Sequence, residues 1–337
     1  MRLLITGACG FIGTNLCHHL LADEDYQLLA YDKLTYAANI EGLAELQRHE
    51  NFSFVNGDIT NPNDLKTVIN KFKPHRIMNL AAESHVDRSI LQSSEFIKTN
   101  IVGTHVLLGC ALEYFEAGVL GRDESFLFHH VSTDEVYGSL GDTGAFSEET
   151  RYDPSSPYSA SKAASDHLVR AWFKTYGLPC VITNCSNNYG PYQFPEKLIP
   201  KVISKMLKGR SIPVYGDGQN VRDWIYVSDH AAALETVVLK GTPGETYNIG
   251  GRTELTNLQL IRRLADMVGK KINRNASDLL GLIEFVPDRL GHDERYAIDD
   301  RKISTQLGWS PATDIQLGLE KTVDWYIKNL KTLDREQ

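Results

Sequence analysis

Short apolar runs alternate with amphipathic stretches through the first half of the chain, and a parallel sheet flanked by helices is what such a rhythm builds. The runs at 2–6, 27–31, 52–56, 76–80, 126–132 and 181–184 read as strands; 11–21, 63–72, 95–115 and 157–176 read as helices. The last helix is well marked, because Ser156 is a capping residue and Pro157 suits the first helical position. Beyond residue 184 the pattern loosens. Asn187-Asn188-Tyr189-Gly190-Pro191 reads as a loop and Gly216-Asp217-Gly218 as a turn between short strands, with helices returning at 197–207, 227–240, 258–268 and 318–330. The expected class is α/β: a Rossmann-type, doubly wound parallel sheet followed by a smaller, mixed α+β substrate-binding domain.

The first strand runs directly into Gly7-Ala8-Cys9-Gly10-Phe11-Ile12-Gly13, which opens the first helix. Gly7 allows a tight turn, Gly10 lets backbone approach a pyrophosphate, and Gly13 lets helix and sheet pack closely. The helix start offers free N–H groups to that anion. Asp32 ends the second strand, where a carboxylate can hold both ribose hydroxyls and repel a 2′-phosphate. NAD is therefore the expected cofactor, in preference to NADP. Asp58-Ile59 closes the third strand, either bordering the adenine or as an ordinary turn. We expect residues 1–185 to form the NAD-binding domain, regaining segments near 221–250. Residues 186–337 are expected to form a discontinuous substrate-binding domain.

Composition excludes several classes. Acidic residues (43) outnumber basic ones (35), giving a net charge of −8, the wrong sign for a general nucleic-acid binder. No apolar run approaches the ~20 residues of a membrane helix, and the N-terminal run is too short for a signal peptide. The five cysteines are odd in number and never spaced C-x-x-C, which suits a reducing cytoplasm and no metal site.

Tyr158 and Lys162 are four apart on one helix face. Lowering a tyrosine pKa by three units takes about 4 kcal/mol. An ammonium ~4 Å away at an effective dielectric of ~20 supplies a similar amount. Tyr158 then becomes a base for a sugar hydroxyl, although this spacing alone is weak evidence. Thr133-Asp134-Glu135 is more selective, since it ends the fifth strand at the ligand-binding edge. Adjacent carboxylates on a regular strand face opposite ways, so the chain must bend for both to reach one ligand, and Gly138 is consistent with that. Desolvation and the Glu135 charge would hold Asp134 protonated, separating an acid from a base. His129-His130, beside this strand, reads as buried and hydrogen-bonded; His85 and Asp87 read as loop supports.

These motifs join Cys185-Ser186-Asn187-Asn188-Tyr189-Gly190-Pro191-Tyr192-Gln193-Phe194-Pro195-Glu196-Lys197-Leu198 and Val221-Arg222-Asp223-Trp224. With Tyr247-Asn248-Ile249-Gly250-Gly251 and Arg295-Tyr296-Ala297-Ile298-Asp299, they resemble the dTDP-glucose 4,6-dehydratases, extended short-chain dehydrogenases/reductases, over nearly the whole chain. The resemblance implies a cytoplasmic, homodimeric lyase of deoxysugar biosynthesis. It would oxidise dTDP-glucose at C4, eliminate water across C5–C6 and return the hydride to C6. Thr133, Asp134, Glu135, Tyr158 and Lys162 would carry the reaction. The resemblance places NAD against Phe11, Ile12, Asp32, Lys33, Leu34, Thr35, Asp58, Ile59, Leu80, Ala81, Ala82, Glu83, Ser84, Thr99, Tyr158, Lys162 and Asn188. It gives the substrate to Ser84, Thr133, Asn187, Lys197, Leu198, Pro213, Val214, Tyr215, Arg222, Asn257, Arg289 and His292. Leu290 stands where the family usually has proline, which loosens the Arg289–His292 loop. The rivals are a nucleotide-sugar 4-epimerase, a decarboxylase of the same superfamily, a dehydratase of another nucleotide hexose, and a non-catalytic NAD-sensing scaffold.

Overall fold

A computed structural model describes residues 1–120 and 125–330; residues 331–337, the end of the expected second domain, lie outside the described residues. The strands are β1 (Arg2–Thr6), β2 (Gln27–Asp32), β3 (Phe52–Asn56), β4 (Arg76–Asn79), β5 (Leu127–Thr133), β6 (Cys180–Cys185), β7 (Asn187–Tyr189), β8 (Ile212–Tyr215), β9 (Val221–Tyr226), β10 (Thr246–Ile249), β11 (Glu254–Thr256) and β12 (Ile283–Val286). The helices are α1 (Phe11–Leu20), α2 (Pro62–Phe72), α3 (Val86–Leu91), α4 (Ser93–Phe96), α5 (Thr104–Glu116), α6 (Pro157–Tyr176), α7 (Leu198–Lys208), α8 (Val227–Lys240), α9 (Asn257–Ile272), α10 (Ala276–Leu280), α11 (Arg301–Leu307) and α12 (Ile315–Lys328).

Seven strands form one sheet in the order β10-β6-β5-β4-β1-β2-β3, and every pair in it is parallel. Both faces are covered, as a sheet of apolar parallel strands requires. Leu16, Leu20, Leu234, Val237 and Ile303 of α1, α8 and α11 bury one face; Leu65, Val68, Leu107, Leu108 and Val169 of α2, α5 and α6 bury the other. Each such side chain contributes roughly 1.5–3 kcal/mol when fully buried. A further core, including Val202, Ile203, Leu260, Leu264, Leu319 and Val323, joins α7, α9 and α12 to the strands after β6.

The later half departs from the expected pattern in two places. Asn187–Tyr189, read as loop, pairs with β9 as strand β7, because the chain leaves the large sheet at Cys185 and joins a three-stranded sheet, β11-β9-β7. The turn at Gly216–Gly218 links strands that do not pair: β8 lies parallel to β12. A third difference lies upstream. The single helix expected over 95–115 begins as α4, widens into a π-helical stretch at Ile97–Gly103 and continues as α5. Such widenings re-aim side chains and recur at functional sites. Here Thr99 reaches a cleft wall, while Asn100 bonds Glu83 N–H (2.8 Å) and donates to Ser161 Oγ (2.8 Å). Among the described residues no helix is long and apolar enough to cross a membrane, and no cluster suits a metal ion.

Helix α6 starts on a reciprocal cap. Ser156 Oγ accepts from Ser159 N–H and Ser159 Oγ accepts from Ser156 N–H, each at 3.0 Å, with Pro157 at the first position. Ser156→Ala removes one of the two bonds two residues before Tyr158. It should lower unfolding stability in urea by about 1 kcal/mol, and an unchanged midpoint would refute the role of the cap.

Candidate active site

A cleft opens along the carboxyl edge of the large sheet, lined by the ends of β1, β2, β4, β5 and β6 and by α6. At its floor Gly7 has φ +69°, and a Cβ there would lie 2.6 Å from Ala81 N and 2.7 Å from the Leu80 carbonyl carbon. A Cβ on Gly13 would lie 2.3 Å from Gly7 O. Gly10 caps α1 without a side chain, leaving the first-turn N–H groups of Phe11 and Ile12 with no side-chain acceptor at the cleft wall. Asp32 accepts Cys9 N–H at Oδ2 (2.9 Å) and Leu34 N–H at Oδ1 (2.8 Å). Each oxygen keeps acceptor capacity for a hydroxyl. Burial pushes this carboxyl up, and the two backbone bonds oppose that. A close-approach loop, an uncapped helix start and a strand-end carboxylate fit NAD. Lys33, Thr35, Ile59, Leu80, Ala81, Ala82, Glu83, Ser84, Thr99 and Asn188 complete the wall. Leu34 (φ +57°) and Asp58 stand off it: Leu34 is exposed, and Asp58 accepts from Thr60 and pairs with Lys33 (3.7 Å).

The chain does bend after β5. Thr133 ends the strand, and Asp134–Tyr137 form a 3-10 turn whose Glu135 N–H donates to Thr133 Oγ1 (3.3 Å). Both carboxylates thereby reach the cleft wall. They are held differently. Asp134 is buried; its Oδ1 accepts from Thr133 Oγ1 (3.3 Å) and its Oδ2 has no hydrogen-bond partner. Burial first, then the charges of Glu135 and Asp223, push its carboxyl well above the ordinary range. Such a shift favours the protonated acid. Burial also raises Glu135, but Lys197, Arg222 and Arg289 all oppose that. A carboxylate facing three cations is the one suited to act as base.

Tyr158 and Lys162 both line the cleft, but the lysine is not bonded to the phenol. Burial and the Glu135 charge push the phenol well above its ordinary value, with Thr133 as the opposing partner. Lys162 Nζ instead donates to Val131 O (2.9 Å). A shared helix face brings two side chains near each other, but a buried ammonium goes to the acceptor that satisfies it.

The substrate residues inferred by resemblance divide into two groups. Ser84, Thr133, Asn187 and Lys197 line the cleft, and Lys197 Nζ donates to Ser84 O (2.8 Å). Leu198, Pro213, Val214, Tyr215, Arg222, Asn257, Arg289 and His292 lie outside its walls. Val214 is buried in the second core, while Arg222 is held by Asp293 O (2.9 Å) and by the Tyr296 ring (4.2 Å). Asp87, read as a loop support, binds Arg289 through both carboxylate oxygens (2.6 and 3.2 Å) and Tyr215 OH (3.3 Å). The loop expected to be loose is thus clamped, with Asp288 accepting from His292 (2.6 Å), while Leu290 projects into solvent at 75% exposure. Tyr36, Cys185, Ser186 and Phe194 also line the cleft without having been assigned a role, and His85, read as a loop support, lies among them. Cys185, Ser186 and Phe194 fall within the distinctive 185–198 stretch, whereas Tyr36 and His85 carry no local signal, because folding alone brings them there.

Fold and cleft define an NAD-dependent enzyme of the Rossmann class with two adjacent carboxyls at the sheet edge. A family described as GDP-mannose 4,6 dehydratase matches residues 4–322. The chain is 49% identical over 343 residues to dTDP-glucose 4,6-dehydratase 1 of Escherichia coli K12, covering 99% of this chain and 95% of that protein. Among solved structures it matches the dTDP-glucose 4,6-dehydratase DesIV of Streptomyces venezuelae, which has NAD and a second ligand bound, with TM-score 0.89, 42% identity and 98% of each chain covered. UDP-glucuronic acid 4-epimerase of Bacillus cereus, in complex with UDP-glucuronic acid and NAD, matches at TM-score 0.85 and 29% identity, over 98% of this chain and 100% of that one. The chain belongs to the dTDP-glucose 4,6-dehydratase family.

The raised Asp134 carboxyl has a consequence for stability. Above the ordinary carboxylate pKa of about 4, the folded chain holds a proton that the unfolded chain has lost, so this group costs stability as pH rises through that window. Asn resembles the neutral acid and has no proton to lose. Asp134→Asn should match the parent near pH 4 and be the more stable at pH 8 in urea unfolding, the gap widening between. A variant less stable at pH 8 would contradict a protonated Asp134.

Proposed function

We propose that this chain dehydrates dTDP-glucose to dTDP-4-keto-6-deoxyglucose. One observation carries the reading: a buried acid with an unpartnered oxygen, Asp134, sits next to a carboxylate held among cations, Glu135, on the wall that also bears Tyr158 and Thr133. NAD would be held by the Gly7–Gly13 loop, Asp32 and the wall of residues 80–84, and would supply the redox chemistry at C4 and C6. Tyr158 accepts the C4 hydroxyl proton as the phenolate, the form that a nearby Lys162 ammonium favours, with Thr133 on the same oxygen. The resulting ketone acidifies the C5 proton, which Glu135 removes. Asp134 gives its proton to the departing C6 hydroxyl, and water leaves. Glu135 then returns its proton to C5. Lys197, Arg222 and Arg289, the cations that face Glu135, suit a diphosphate beyond it.

The 4-epimerase reading shares the fold and the cofactor, but it has no use for a paired acid and base. Incubation with dTDP-glucose separates the two: the sugar loses one water without net release of reduced cofactor, whereas an epimerase leaves its mass unchanged. Turnover of UDP- or GDP-hexoses in preference to dTDP-glucose would overturn the choice of nucleotide. Residues 1–185 with β10 form the NAD-binding part in this reading, and the segments built on the second core hold the sugar nucleotide. The enzyme is a cytoplasmic homodimer, supported by buried free thiols and by exposed Ile97, Val102, Phe115 and Tyr176 near α5 and α6; a monomeric mass in light scattering would refute the dimer.

Glu135→Gln keeps the shape of the base but removes its function. It should still oxidise C4 and then stall, lowering turnover by about 10²–10⁴-fold while reduced nicotinamide absorbance accumulates on the enzyme. Normal dehydration by this variant would remove Glu135 from the role.

A further inference from the structure

Behind the cleft floor, α6 carries a third polar residue in register with Tyr158 and Lys162: Asp166, one turn further along. Lys162 and Asp166 are buried, at 3% and 0% exposure. The Lys162 ammonium lies 3.4 Å from His130 Nε2, and the same nitrogen lies 3.4 Å from Asp166 Oδ1. Those two contacts place the ammonium and carboxylate no more than 6.8 Å apart. Asn79 fixes the imidazole between them. Its Oδ1 accepts the Thr6 hydroxyl (2.7 Å), and its amide nitrogen lies 3.1 Å from His130 Nδ1. Asp166 Oδ2 accepts from Ser132 (2.9 Å) and Tyr152 (2.9 Å), and from Asn184 Nδ2 at 3.4 Å. Arg170 in turn donates to Tyr152 OH (3.0 Å).

A buried ammonium needs a counter-charge, and the groups facing Lys162 are few. From β5 comes His130, kept neutral by burial with a pKa of about 4; from β6 comes Cys185, a thiol pushed up to about 12. Tyr158, on its own helix, is a neutral phenol. Asp166 alone among these bears a negative charge, and its hydrogen bonds and His130 hold its carboxyl below the ordinary range.

We propose that Asp166 is a positioning residue for this reaction: across the His130 imidazole, its carboxylate supplies the negative charge that keeps the Lys162 side chain ionised inside the protein. The inference rests on the reading of Tyr158 and Lys162 as part of the catalytic site. Lys162 must be charged to favour the Tyr158 phenolate, so removing the Asp166 charge lets Lys162 lose its proton at lower pH. The alkaline limb of activity then moves down.

In the NAD-loaded enzyme, Asp166→Asn should shift the alkaline limb of kcat down by about one to two pH units. Near pH 8, kcat should fall about tenfold or more with KM for dTDP-glucose little changed, and Asp166→Glu should recover most of the loss. In a Lys162→Met background the same substitution should add less than about twofold, because both changes act through one charge. A readout independent of how the variants fold is NMR of ¹³Cε-labelled lysine in the unsubstituted protein, with the Lys162 signal identified by its loss in Lys162→Arg. That signal should still show the ammonium form at pH 7. A folded Asp166→Asn enzyme with an unmoved limb, or a Lys162 already neutral at pH 7, overturns the inference and leaves the dehydratase reading standing. Full activity in Lys162→Met overturns the catalytic reading of Lys162, and the inference with it.

Discussion

At the centre of the large sheet the backbone of the Gly7 turn presses against Leu80 and Ala81 so closely that no side chain fits between them. The contact falls between β1 and β4, where the strand order reverses and the loops that follow the two strands part to opposite faces. Everything at the carboxyl edge is set relative to this seam. It fixes the start of α1 and brings Asp32 within reach of Cys9 N–H, while the 80–84 segment becomes a cleft wall. β5 and β6 then deliver Thr133 and Cys185 to the same edge, because a parallel sheet lays all its strand ends on one side.

On that scaffold the chemistry is arranged by unequal solvation. Asp134 and Glu135 are neighbours in sequence, yet the turn after β5 leaves one with an orphaned oxygen and the other facing cations. Burial and local charge act on two identical functional groups in different proportion. The lysine on α6 follows the same logic one layer deeper, where Asp166 and a neutral His130 stand behind it. Charges buried this deeply are tolerated because each meets a partner or keeps its proton.

Much of this was legible in the amino-acid order. The strands at 2–6 and 52–56 and the helix at 157–176 read correctly because each has a strong period and, for the helix, explicit end signals. The glycine turn and Asp32 were readable for the same local reason. The strand at Asn187–Tyr189 was missed, since its partner β9 lies far along the chain and its own composition is that of a loop. The widened helix at Ile97–Gly103 was missed because its side chains show ordinary helical periodicity.

Asp87 and Lys162 mark the boundary between the two kinds of information. Sequence by itself determined the fold class, the dinucleotide turn and the presence of an acid pair at a strand end, because backbone sterics and periodicity act over a few residues. Tertiary structure alone decided that Asp87 grips Arg289 from 202 residues away, that Lys162 turns to Val131 O rather than to Tyr158, and which of two adjacent carboxyls is pushed up the further. Those outcomes depend on desolvation and on charges contributed by distant segments, and neither exists until the chain has folded.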